Sequence, residues 1–331
     1  MQRALNALPT GGTLLFAATK TYRHSDVLVD RVAGTHLTGG GVLLASNEAR
    51  SSFWIGADNV LVDGGLTFRM GTTTQRWAAW EQTKLRLAGV TGTVLRGIRV
   101  EGSAGAGIFV DHSSNFLMED VSVSNTRADG IHMTAGSHDG TVRRPTVTNS
   151  GDDGVAVVSY TSDGVVCNHI AVESPVVRGA AWGRGLSVVG GEEITYSNVS
   201  VDSSNAAAIY VADEGSPWYT YSSKNVTFVG GTLTRSNTNT TVDHGAILLY
   251  SANPGYTLDN VVVDGLQLSD TRATASRQVS VLGGGGAVSG AMLRNLTITR
   301  GGPAFGTNVP AASYSTINWV VNGIARPDHL A

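Results

Sequence analysis

The chain has 331 residues, a formal net charge of −3 and only 15 % charged residues. That balance supplies no basic surface for nucleic acid or an anionic membrane, and no apolar run is long enough to span a bilayer. The single cysteine, Cys167, excludes an internal disulfide and a cysteine-rich metal site; in the run Val165-Val166-Cys167 it reads as a small core residue.

The start, Met1-Gln2-Arg3-Ala4-Leu5-Asn6, lacks the apolar core of a signal peptide. An exported parent whose signal has been removed remains compatible with it, and the expectation is a secreted or extracellular protein. Gln2 to Pro9 is amphipathic and is expected to form a helix that covers an open end of the fold, so residues 1–10 read as a cap. Strands begin at Gly11-Gly12-Thr13-Leu14-Leu15-Phe16. Residues 71–89, with Trp77, Trp80 and Lys84, break the pattern and are expected to form a loop.

A repeat then dominates. A small residue followed by alternating apolar positions recurs at Gly107-Ile108-Phe109-Val110, Gly130-Ile131-His132-Met133 and Gly154-Val155-Ala156-Val157. It continues at Gly185-Leu186-Ser187-Val188, Ala208-Ile209-Tyr210-Val211 and Gly245-Ala246-Ile247-Leu248. The anchors are spaced by 23, 24, 31, 23 and 37 residues. Between them runs a second phrase of Asn followed by alternating apolar residues, as in Asn198-Val199-Ser200-Val201 and Asn225-Val226-Thr227-Phe228. Short strands in constant phase describe an all-β solenoid, a parallel β-helix whose rungs bury one another. One domain is expected over 1–331, with rungs from about 11 to 310 and an irregular tail over 311–331.

Alternation sends Ile108 and Val110 inward and Phe109 and Asp111 outward. His132, Ala156, Ser187, Tyr210, Leu248 and Tyr250 are expected on the same outward face. Asp129 precedes one such strand, and the adjacent acids Asp152 and Asp153 precede the next, so the three stack at one margin of that face. Stacked like charges raise the pKa of at least one member unless a cation intervenes, which is how a general acid keeps its proton near neutral pH. Glycosidic hydrolysis needs such carboxyl groups.

Arg127-Ala128-Asp129-Gly130 and, one rung on, Gly151-Asp152-Asp153-Gly154 carry a further signal. With Gly183-Arg184-Gly185 and Ile209-Tyr210-Val211-Ala212 after them, the chain resembles the polygalacturonase-type glycoside hydrolases. Those are right-handed parallel β-helix enzymes of the pectin-lyase-like superfamily, with motifs Asn-Thr-Asp-Gly, Gly-Asp-Asp-Cys, Gly-His-Gly and Arg-x-Lys. The resemblance covers about residues 90–260 and implies catalysis by Asp129, Asp152 and Asp153, with inversion at the anomeric carbon. Asp152 would be the general acid, while Asp129 and Asp153 orient and deprotonate water. A carboxyl separation of about 6.5–9.5 Å is expected for inversion.

The departures bear on substrate. Arg184 replaces the family's histidine, and Tyr210 and Ala212 stand where arginine and lysine would grip a uronate. A neutral polysaccharide or oligosaccharide is therefore expected. His132, Arg184, Tyr210, Asp213, Glu214, His244 and Tyr250 are the candidate substrate-binding residues, and Phe109, Trp182 and Trp218 can offer aromatic faces to sugar rings. Arg184 could also pair with Asp152 or Asp153 and lower its pKa. No cofactor or metal is expected for hydrolysis; Ca²⁺ enters only under an alternative, a polysaccharide lyase with Arg184 as base. A fructan-acting enzyme of this fold and a non-catalytic carbohydrate-binding or tail-fibre module are further alternatives. Monomer and homo-oligomer both stay open.

Overall fold

The computed structural model describes residues 1–76 and 78–330, so the expectations at Trp77 and Ala331 fall outside the described residues. The architecture is a right-handed parallel β-helix. Eleven strands, one per rung, form one parallel sheet that runs from Leu28–Asp30 to Phe305–Thr307. The other described strands all join into a second, 23-stranded sheet that makes the remaining walls. Ile108, Ile131, Val155, Leu186, Ile209 and Ile247 stack in register down the interior and are fully buried. Each covers the apolar face of its neighbour, so no rung is stable alone.

The Asn residues of the second phrase mark its corners. Asn115, Asn198, Asn225, Asn260 and Asn295 all have φ between 52° and 57°. This left-handed conformation is tolerated by Asn better than by most residues. Some are linked between rungs, as in Asn260 Nδ2 donating to Asn225 Oδ1 at 2.7 Å.

The expected cap is present as a helix over Gln2–Asn6, with Leu5 buried against the core. The loop reading of 71–89 holds only in part. Leu85–Ala88 is a strand of the eleven-stranded sheet, because Leu85 and Leu87 continue the interior stack. Lys84 beside it is fully buried, its Nζ donating to the Ser51 carbonyl and lying 3.3 Å from His24 Nε2. Burial lowers the Lys84 pKa to about 7. The tail is also more regular than expected. Tyr314–Ile317 pairs in parallel with Ala291–Arg294, and Trp319 closes the core while donating its Nε1–H to the Leu293 carbonyl at 2.9 Å. The next repeat anchor shifts by one: Ile209 pairs with Ile247, so Ala246 rather than Gly245 is the small residue of that rung.

The outward face differs most from expectation. Its register is as read, Phe109, His132, Ala156, Ser187, Tyr210 and Leu248 in succession. Yet Ala156, Tyr210, Ala212 and Leu248 are buried, in a second apolar cluster with Val158, Val189 and Ala207. Two inserted segments meet over this side of the rungs, joined by an antiparallel bridge between Tyr160 and Thr220. What stays open is a cleft toward the acidic margin.

Candidate active site

The cleft has a volume of about 490 Å³ and is lined by all three expected acids. Asp129 sits at the turn into Ile131–Thr134, and Asp152 and Asp153 at the turn into Val155–Val158. The turns nest closely: a Cβ on Gly130 would lie 2.6 Å from the Gly154 carbonyl oxygen, so only glycine fits. One oxygen from each of Asp129, Asp152 and Asp153 lies within 4.8 Å of the others. This is closer than the separation of about 6.5–9.5 Å expected for an inverting pair.

Each acid has a different environment. Asp129 accepts the Asp153 backbone N–H on Oδ1 at 2.9 Å and meets His132 Nδ1 through Oδ2 at 2.5 Å. Asp153 is deeper. It accepts the Arg184 backbone N–H at 2.7 Å and the Ser187 hydroxyl at 2.5 Å, with the Arg184 Nε 3.4 Å away. Burial pushes its carboxyl up, while Arg184 opposes that change. Asp152 receives Arg76 on Oδ2 at 2.7 Å, and its Oδ1 is buried without a hydrogen-bond partner. Burial, then the charges of Asp153 and Asp129, raise Asp152 to about 8 against the pull of Arg76. Of this coupled pair we assign the proton to Asp152, since Asp153 has the buried guanidinium and two donors to stabilise its charge.

Arg184 is the hub of the far wall. Its guanidinium lies 4.3 Å above the Tyr210 ring and reaches Glu214 Oε1 at 3.0 Å, and the Tyr210 hydroxyl donates to the same oxygen at 3.0 Å. His132 also lines the cleft, its ring parallel to Phe109 at 5.0 Å between centroids. Trp182 and Trp218 stand at the mouth, each 62 % exposed.

Of the candidate binding residues, the cleft thus gathers His132, Arg184 and Glu214. Four others lie elsewhere. Tyr210 is buried beneath Arg184 and supports it instead of facing the cleft. Asp213 is fully buried and ties down the next rung, accepting Ser251 Oγ at 2.6 Å and the Asn253 N–H at 2.7 Å. Its burial raises it to about 6. His244 packs on the Tyr210 ring, and burial with the neighbouring Arg184 and Arg277 lowers it to about 4. Tyr250 packs against the outer apolar cluster. Arg76 and Tyr160 line the cleft but carry no signal in the repeat. Arg76 lies in the 71–84 insertion and reaches a partner 76 residues away, a contact that no local spacing encodes.

One oxygen from each acid could reach a shared cation, and Asp152 Oδ1 has no partner. Calcium takes 6–8 oxygens; here the oxygens of Asp129 and Asp153 also receive protein donors and Asp152 Oδ2 carries a guanidinium. Positive charge is supplied here by Arg76 and Arg184.

The family profile described as "Right handed beta helix region" matches residues 23–173. No curated protein matches the sequence. Solved structures do. The catalytic unit of an α-1,3-glucanase from Streptomyces thermodiastaticus superposes with a TM-score of 0.65 and 16 % identity, over 97 % of this chain and 64 % of that one. This chain therefore spans less than two thirds of that unit. An endo-xylogalacturonan hydrolase from Aspergillus tubingensis gives 0.60 and 16 %, over 95 % and 90 %. An alginate lyase from Paenibacillus gives 0.57 and 14 %, over 93 % and 96 %. The chain has the right-handed parallel β-helix fold that these structures share.

Proposed function

We propose that the protein is a glycoside hydrolase that cleaves a neutral polysaccharide or oligosaccharide, with Asp152 as general acid. The observation that carries this reading is three carboxyl groups clustered on one cleft, where burial and the charges of Asp153 and Asp129 raise Asp152 to about 8. A general acid has to hold its proton at the working pH and release it to the leaving oxygen. Arg76, half exposed on its loop, leaves Oδ2 when the glycosidic oxygen arrives. Trp182 and Trp218 offer ring faces to flanking sugars.

The neutral-substrate reading rests on charge. The guanidinium groups lining the cleft are both engaged, Arg76 with Asp152 and Arg184 with Asp153 and Glu214. A uronate carboxylate entering the cleft finds no spare cation among the described residues and meets several acids. Because the triplet is tight, the attacking water lies beside it, toward His132, rather than between two carboxylates. Direct attack by water gives product of inverted anomeric configuration.

The test is a panel of neutral and uronic polysaccharides assayed for new reducing ends, with and without a chelator. The expected outcome is release from a neutral member, unaffected by the chelator and without ultraviolet-absorbing product. An unsaturated product from a uronic member would make the protein a lyase, as the fold also allows in the alginate lyase.

A further inference from the structure

We infer that His132, held by Asp129, is the base that takes a proton from the attacking water. This rests on the hydrolase reading above and names a residue whose role there was only to border the cleft. Both oxygens of Asp129 are occupied, Oδ2 by His132 Nδ1 and Oδ1 by the Asp153 N–H. Both oxygens of Asp153 are likewise occupied, by the Arg184 N–H and the Ser187 hydroxyl. Each of these oxygens therefore already holds a protein donor where a water would have to bind.

His132 differs. A carboxylate only accepts, so the contact with Asp129 fixes the proton on Nδ1 and leaves a lone pair on Nε2. Among the described residues Nε2 has no hydrogen-bond partner, and it is not among the buried unpartnered atoms, so it opens to the cleft that His132 lines. The ring cannot swing freely. Phe109 lies parallel to it at 5.0 Å on the preceding rung, and the following rung places Ala156 in register. The arrangement is an acid that orients an imidazole, the same logic that fixes the tautomer of a base in other hydrolytic sites. Asp129 is then a positioning residue.

The step balances. The anomeric carbon's bond to the leaving oxygen breaks, its electron pair stays on that oxygen, and Asp152 supplies the proton. A water lone pair forms the new bond to the anomeric carbon, and one water proton passes to His132 Nε2. The imidazolium left behind is paired with the Asp129 carboxylate, and solvent returns the proton to Asp152.

Three variants, His132→Ala, His132→Gln and Asp129→Asn, are assayed on the neutral glycan that the panel identifies. Loss of a general base costs about 10²–10⁴-fold in turnover. We expect both His132 variants to lose that much with KM little changed, and Asp129→Asn, whose single amide oxygen cannot accept from both Nδ1 and the Asp153 N–H, to lose activity as well. Azide needs no base, so it should restore turnover to His132→Ala and yield a glycosyl azide of inverted configuration, while leaving Asp152→Asn inactive on the same glycan. A His132→Gln enzyme with more than a tenth of normal turnover, beside an inactive Asp129→Asn, would make Asp129 the base and overturn the inference. Full activity of Asp152→Asn would instead remove the hydrolase reading itself. A readout independent of substrate is the ¹⁵N NMR spectrum of the imidazole, assigned by its loss in His132→Gln. A protonated Nδ1 with a bare Nε2 is expected, and the opposite tautomer contradicts the inference.

Discussion

Burial and the charges of Asp153 and Asp129 raise Asp152 to about 8, while one neighbour, Arg76, pulls the other way. That opposition gives a prediction with a definite sign. Activity that needs protonated Asp152 falls as pH rises through about 8. Arg76→Ala removes a lowering influence, so the alkaline limb of the kcat/KM profile should move to higher pH. A limb that stays or moves down would show that Arg76 does not act on Asp152. Stability follows the same group. The folded carboxyl binds its proton more tightly than the unfolded one, so stability is lost as pH rises from the ordinary carboxylate range toward about 8. Asp152→Asn cannot ionise and should melt above the parent at pH 9, with the gap closing by pH 4. These acids were readable in the sequence because Asp-Gly turns recur at the period of the rungs. Their partners Arg184 and Ser187 sit at repeat positions and were partly readable too. Arg76 was not, since an insertion's path depends on packing rather than on period.

At the scale of elements, strands and insertions behave differently. Strand phase followed directly from alternation, and every outward residue named from it lies in the observed register. What alternation could not tell was whether outward means exposed. The bridge between Tyr160 and Thr220 joins two insertions beside the cleft, and Tyr210 and His244 became packing as Arg184 and each other covered them. Gly183, in the turn that follows Trp182, shows how tightly the elements hold the acids. A Cβ there would lie 2.3 Å from Asp152 Oδ1 and 2.6 Å from Asp153 Oδ1. Gly183→Ala should therefore displace both carboxyl groups and cost about 100-fold in turnover, as misplacement by an ångström commonly does. Steady-state kinetics with the identified glycan measure this, and unchanged turnover would mean that the turn is softer than its contacts imply.

For the whole molecule, stability is a sum over rungs and the interfaces between them. The ends matter most, and the sequence disclosed one of them better than the other. The helix over Gln2–Asn6 was legible from its amphipathic pattern, whereas the last rungs were hidden because Tyr314 and Trp319 lie among polar residues without the Gly anchor. Trp319→Ala removes the side chain that closes the core and should cost about 3–5 kcal/mol. Limited proteolysis should then cut the C-terminal rungs first, with turnover at 25 °C retained because the cleft lies in earlier rungs. Between those ends, on the proposed function, the solenoid is a rigid wall that holds one carboxyl triplet for chemistry. The most direct test of that claim is the turnover of Asp152→Asn on a neutral glycan cleaved by the parent protein, with folding checked by thermal melting. A loss of several orders of magnitude in a fully folded variant is the predicted result, and near-parental turnover would contradict the account.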